Sequence, residues 1–214
     1  MKSLFFILLS ILICACSNSE GVSAGQQSSS IEVSEDSLAG MLHVESVGAM
    51  ALLGTDSENV RANERPVMQV KFSYDFSLGK YEVMCGEFNA LMKSATGLAL
   101  NCSNDSLPAT NVTFYDAVLF ANERSKAEGF DTAYTYTSAD FDSEKHCANL
   151  EGFAYRSEAH AYRLPTEAEW VLAASQNWNL QNGWIADNSD YKLHKVCGKT
   201  DSDSDFCDMA GNAM

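Results

Sequence analysis

The stretch that most constrains the fold is Tyr162 to Ala174, reading YRLPTEAEWVLAA. Thr166 is a helix-capping residue type and Glu169 stands three positions on. The Thr166 hydroxyl can accept from the Glu169 N–H while the Glu169 carboxylate reaches back to the Thr166 N–H, which is a capping box. Pro165 just before the cap and Trp170 at the fourth helical position can staple the approach of the chain. Val171, Leu172, Ala173 and Ala174 continue a short, mostly apolar helix. Taken alone, the string describes a core helix whose first residue is fixed by local chemistry.

The 214 residues suffice for one domain of ordinary size plus a tail. A hydrophobic fraction of 46% with 10% aromatics suits a packed core. The 14 Lys and Arg stand against 29 Asp and Glu, a formal net charge of −15. That balance argues against a nucleic-acid partner, which demands clustered cations, and against electrostatic adhesion to anionic lipid. It suits cation binding or, more simply, solubility.

The N-terminus reads as an export signal. Lys2 gives a short positive start, and Leu4 to Ile13 form an apolar run too short to span a bilayer. Ile13-Cys14-Ala15-Cys16 then places small residues before a Cys, an arrangement that resembles a bacterial lipobox. On that resemblance residues 1–15 are a lipoprotein signal peptide, Cys14 is discarded and Cys16 carries lipid. An ordinary cleaved signal, with Cys16 a free thiol, is the competing reading. Ser17 to Ser37 has almost no large apolar residues, so 16–37 reads as a lipidated Cys and flexible tether, with the domain spanning 38–214. Export puts Cys85, Cys102, Cys147, Cys197 and Cys207 in an oxidising compartment. Five leaves at least one without a partner inside this set, and the connectivity is open. There is no C-x-x-C to suggest zinc or thioredoxin chemistry.

Met41–Val47 and Ala49–Leu53 read as two strands around a turn, and Val67–Phe76 as a third. Met84, Phe88, Leu91 and Met92 share one face of a helix ending before Gly97. Thr113 caps a second helix, with Asp116 as its third residue, Val112 stapled to Ala117, and Gly129 as the stop. From Phe130 to Tyr162 only Tyr134–Thr137 is strand-like, and beyond Gln176 the chain is loop-like. Short helices among short strands and long loops predict an α+β domain.

Five segments in order carry a resemblance to the formylglycine-generating enzyme family, also called the sulfatase-modifying factor domain. They are Glu64-Arg65-Pro66-Val67; Gly79-Lys80-Tyr81-Glu82-Val83; Leu107-Pro108 leading into Asn111 through Ala117; Arg163-Leu164-Pro165-Thr166-Glu167-Ala168-Glu169-Trp170; and Asp208-Met209 with Gly211-Asn212. The resemblance implies a C-type-lectin-like fold, incomplete at its C-terminal side. The family usually has Thr where Met84 stands, Trp-Glu-Trp soon after the Gly-Asn, and a copper-binding cysteine pair further on. No cysteine of this chain matches that pair, so none is carried over as catalytic and copper is expected only if a longer form supplies it. A structural calcium site is implied in part, at Asp208 and the carbonyls of Gly211 and Ala213. Asn188 is a further candidate for a second calcium site.

The acidic run Asp201, Asp203, Asp205, Asp208 starts like an EF-hand loop but has Phe206 and Asn212 where Gly and Glu belong, so a solvated loop is expected. His43, His146, His160 and His194 show no metal-ligand spacing, and no nucleophile elbow or phosphate loop is present. Three functions follow as expectations. The first is a non-catalytic lipoprotein of the bacterial cell envelope, at the outer membrane or cell surface, binding or scaffolding an envelope protein or glycan. The second is the front part of a copper oxidase acting on sulfatase cysteines. The third is a calcium-assisted glycan binder.

Overall fold

The computed structural model describes residues 31–176, 179–199 and 206–213, together with the backbone of 14–16. The strands are β1 (Cys14–Cys16), β2 (Glu32–Glu35), β3 (Met41–Glu45), β4 (Met50–Leu53), β5 (Met68–Lys71) and β6 (Phe76–Gly79), followed by β7 (Tyr134–Thr135), β8 (Ser138–Phe141), β9 (Cys147–Glu151), β10 (Ala154–Tyr155) and β11 (Tyr162–Arg163). The helices are α1 (Cys85–Ala95), α2 (Phe114–Ala127) and α3 (Glu167–Gln176). The main sheet runs β11-β1-β6-β3-β2 with every neighbour antiparallel. Three two-stranded ribbons, β4–β5, β8–β9 and β7–β10, stand beside it. This is the mixed α+β arrangement of short elements, open sheets and long loops that the sequence predicts. Among the described residues no helix is long and apolar enough to cross a membrane.

Several boundaries differ from the sequence reading. The stretch read as tether contains β2, which pairs with β3 through Val33↔Val44. The export-signal reading lies outside the described residues except for β1, whose backbone joins the main sheet. β3 and β4 are strands as expected but belong to different sheets. The single strand expected over Val67–Phe76 is two, because Asp75 Oδ1 accepts from the N–H groups of Ser46 (2.7 Å) and Val47 (3.0 Å). That turns the chain out of the ribbon and delivers β6, buried at all four positions, into the main sheet. Strands β8 to β10 occupy the stretch expected to be irregular; apart from Cys147 and Leu150 their residues are largely exposed, so no apolar alternation announces them.

The core has two lobes. One packs α1 on α2, with Phe88 and Phe120 stacked 5.3 Å apart, against Leu150 and Tyr162. The other packs Leu42, Val44, Phe76 and Leu78 of the sheet with Ala51 of β4 and Leu172 of α3. Capping networks fix the helix starts within them. In α2, Thr113 and Asp116 form the expected box at 2.9 and 3.0 Å. Asp116 also receives the Cys147 N–H at 2.7 Å and contacts His146 Nδ1 at 2.7 Å, so the helix start is tied to β9.

The opening motif forms as read: Glu169 N–H donates to the Thr166 hydroxyl at 3.3 Å and Thr166 N–H donates to Glu169 Oε2 at 2.7 Å. The structure adds an ion pair. Arg163 donates from both terminal nitrogens to Glu169, at 2.8 and 2.5 Å, and the Tyr74 hydroxyl donates to Oε1 at 3.0 Å. Glu169 is wholly buried and Arg163 nearly so. Burial alone would push the carboxyl up, but the hydrogen bonds and charge of Arg163 together with Thr166 outweigh it and hold Glu169 below the usual range. Removing one member of such a pair strands the other. Arg163→Ala is therefore expected to cost about 3–5 kcal/mol, read as a fall in the urea midpoint at unchanged slope. A loss under about 1 kcal/mol would place the pair among merely peripheral contacts.

Candidate functional site

Beyond β6 the chain runs Tyr81-Glu82-Val83 into the interior before α1 begins. Glu82 is 2% exposed, a lone carboxylate in an apolar run. Its partners come from 130 residues downstream: Asn212 Nδ2 donates to Oε2 at 2.8 Å and the Ala213 N–H to Oε1 at 3.0 Å. Asn212 in turn accepts from the His194 N–H at 3.0 Å, donates to the His194 carbonyl at 3.1 Å, and donates its own N–H to the Trp184 carbonyl at 2.8 Å. One asparagine thus joins the residue-82 crossing, the residue-184 loop and the residue-194 loop.

The corner closes through near-contact of two backbones. A Cβ on Gly183 would stand 1.6 Å from the Ala210 carbonyl oxygen, and one on Gly211 2.2 Å from the Trp184 carbonyl oxygen. Gly211 also has φ +115°, while Asp208 and Asn212 hold φ 53° and 64°, the left-handed region that Asp and Asn tolerate. Cys197 and Cys207 form a disulfide across the corner, and the Cys207 N–H donates to the Lys80 carbonyl at 2.8 Å. The Trp184 and His194 rings stack 3.6 Å apart, with the Lys199 ammonium 5.2 Å from the indole centre.

Two buried carboxylates share this corner. Asp208 Oδ2 accepts the Cys197 N–H at 2.6 Å, but Oδ1 is buried with no partner among the described residues. Burial raises the Asp208 carboxyl, only partly offset by that hydrogen bond. Burial, and then the charge of Asp208, push Glu82 up to about 8, against the lowering effect of Ala213 and Asn212. An orphaned, buried carboxylate oxygen is costly unless something positive completes it. Asp208, Gly211 and Ala213, the residues of the expected partial calcium site, all lie in the segment that closes this corner, where calcium would need six to eight oxygens. Among the described residues no three His, Cys, Asp or Glu side chains gather as a metal cluster.

The other expected residues are dispersed. Asn188 is committed to its own loop, accepting from the Ile185 N–H at 2.9 Å and donating to the Gly183 carbonyl at 3.1 Å. Asp201, Asp203 and Asp205 lie outside the described residues, as does Cys16 apart from its backbone. Arg163, Pro165, Thr166, Glu169 and Trp170 sit at the start of α3, on a different element from the corner. Cys85 and Cys102 are paired, and Cys147 is a buried free thiol that burial pushes up, away from reactivity. Sequence reasoning missed Glu82; an acidic residue between Tyr81 and Val83, within a run that must be buried, was the available signal.

Comparison with known proteins adds a lineage. The family described as sulfatase-modifying factor enzyme 1-like domain matches residues 28–214. Chaperone protein LppX of Paenibacillus barcinonensis is 35% identical over 112 residues, which make up 50% of this chain and 39% of that protein. The chain thus spans about two fifths of that relative's length. Treponema denticola variable protein 1 shares the fold, with a TM-score of 0.55 at 18% identity over 85% of this chain and 74% of the other. PvdO from Pseudomonas aeruginosa aligns at a TM-score of 0.41 and 17% identity, over 86% and 72% of the two chains.

The corner carries a pH signature. A carboxyl whose folded pKa is raised gives stability that is whole below its ordinary pKa of 4.5 and is lost as pH climbs to about 8. Unfolding free energy measured from pH 4.5 to 8.5 should fall across that window, and Glu82→Gln should flatten the fall. A rise with pH, or an unchanged slope in the variant, would refute the assignment.

Proposed function

The chain belongs to the sulfatase-modifying factor enzyme 1-like family, and from that premise we propose that it works as a lipid-anchored protein of the bacterial envelope whose domain binds or scaffolds an envelope partner. The state of the cysteines carries this reading. Two disulfides, Cys85–Cys102 and Cys197–Cys207, suit an oxidising compartment. The remaining described thiol, Cys147, is buried, whereas copper oxidation of a substrate cysteine requires accessible thiolates as metal ligands. The partial match to a protein named as a chaperone favours a protein partner over a glycan. The anchor in this reading is lipid on Cys16, and the removal of residues 1–15 that it entails would take Cys14 and Ala15 of β1 out of the main sheet.

Intact mass of the envelope-extracted protein should give Cys16 as the first residue with a diacylglyceryl adduct, and Cys16→Ser should leave it unlipidated. A mature start elsewhere would remove the anchor. The competing oxidase reading makes this chain the front of a longer enzyme. Formylglycine on a sulfatase-derived cysteine peptide incubated with copper and this chain would overturn the non-catalytic reading.

The orphaned Asp208 oxygen favours a second reading, in which calcium organises the corner and the domain binds glycan with its help. Asp208 and the carbonyls of Gly211 and Ala213 would hold the ion, whose charge would relieve the repulsion between Asp208 and Glu82. After chelator treatment, millimolar calcium should raise the melting temperature by several degrees through mass action, magnesium should not, and Asp208→Asn should abolish the rise. A melting curve indifferent to calcium would remove this reading.

A further inference from the structure

The Ala39–Gly40 turn, with Tyr81, borders α1 and α2 around a cavity of about 300 Å³. Leu91, Phe120 and Ala127 form its apolar wall, and Tyr81, Glu87 and Arg124 its polar one. A narrower recess continues inward past Gly79 and Val83. The volume lies at the lower end of the range for small-molecule sites, and an apolar wall with a few placed polar groups is their usual make-up.

The polar groups are held rather than loose. Arg124 donates from Nη2 to the Ala39 carbonyl at 2.9 Å and from Nε to Glu128 Oε1 at 3.1 Å, and its guanidinium lies 4.4 Å from the centre of the Tyr162 ring. Glu128 spends its other oxygen on the Tyr162 hydroxyl at 2.5 Å. Glu87 Oε2 accepts the Met84 N–H at 2.9 Å, which fixes the carboxylate at the start of α1. Glu87 Oε1 and the Tyr81 hydroxyl have no hydrogen-bond partner among the described residues, and the Arg124 guanidinium lines the cavity beside them. Gly40, at φ +73°, makes room: a Cβ there would stand 2.9 Å from the Tyr81 oxygen. Burial, and then Glu87, push the Tyr81 phenol up, so it stays a neutral hydroxyl able to donate or accept.

One cation, Arg124, and two carboxylates, Glu87 and Glu128, therefore border the same cavity, and Glu128 has both oxygens engaged by Arg124 and Tyr162, which leaves Glu87 as the carboxylate open to a ligand. A simple anion would meet Arg124 but also Glu87, Glu128 and the field of a chain carrying −15. A simple amine would meet Glu87 but also Arg124. A ligand bearing both charges satisfies each group and is penalised by neither. We propose that this cavity binds an α-amino acid with an apolar side chain, its carboxylate on Arg124, its ammonium on Glu87 and its side chain against Leu91 and Phe120. This site is separate from the buried corner and does not depend on the envelope-scaffold or calcium readings.

Titration of the whole chain by calorimetry with L-leucine, 4-methylpentanoate and 3-methylbutylamine tests it, because the last two are leucine lacking the ammonium and the carboxylate respectively. Leucine should bind at least about tenfold more tightly than either half-ligand. Arg124→Lys keeps the charge but loses the planar fork, and Glu87→Gln keeps an oxygen for the Met84 N–H. Each should weaken leucine binding about tenfold or more while thermal unfolding in the absence of ligand stays cooperative. No heat with leucine, equal affinity for a half-ligand, or leucine binding unchanged in both variants would overturn the proposal.

Discussion

The buried carboxylate of Glu169 is the contact on which the two halves of the molecule depend. It accepts from Arg163 on β11, from Thr166 at its own helix start and from Tyr74 in the crossing between β5 and β6. Arg163 and Thr166 belong to the segment that leads into α3 and Tyr74 lies 95 positions away, so the carboxylate ties the start of α3 to the crossing between β5 and β6. An apolar residue there would pack but would fix neither the helix start nor the Tyr74 crossing. A buried ion pair is expensive to desolvate, and here the dense hydrogen bonding around it offsets that cost.

Glu82 offers the contrast. It is as deeply buried as Glu169 but is opposed by another acid, Asp208, instead of an arginine. The two sites show how the same side chain takes opposite protonation behaviour from its surroundings. Around Glu169 the fold supplies the compensating charge itself. Around Glu82 and Asp208 the described residues supply hydrogen bonds but leave one carboxylate oxygen without a partner. That difference separates a charge-compensated motif from a corner whose carboxyls are raised by burial and, for Glu82, by the charge of Asp208.

Much of the fold was legible where local chemistry decides it. The caps at Thr113 and Thr166 follow from residue spacing alone, and α1 and α2 fall where their apolar faces predict. The failures are tertiary. The break between β5 and β6 is made by Asp75 reaching Ser46 and Val47, nearly thirty positions away, and no periodicity carries that information. Strands β8 to β10 are exposed ribbons lacking the alternation that marks half-buried strands. At the corner, Asp208, Gly211 and Asn212 could be named from the family resemblance, but their union with Glu82 is a contact across 130 positions. The Arg124 and Glu87 cavity was invisible because its lining comes from two helices and a turn brought together only by the tertiary fold.

The interlock of Gly183 with Ala210 and of Gly211 with Trp184 also orders events in time. These backbones touch where no side chain can intervene, and Glu82 gains its partners only from residues 212 and 213. A chain that emerges from the N-terminus can build α1 and α2 early, because their contacts are local, but it must hold Glu82 in water until that distant segment arrives. Closing so long a loop is slow and entropically unfavourable. The corner can therefore close only once residues 212 and 213 have reached Glu82.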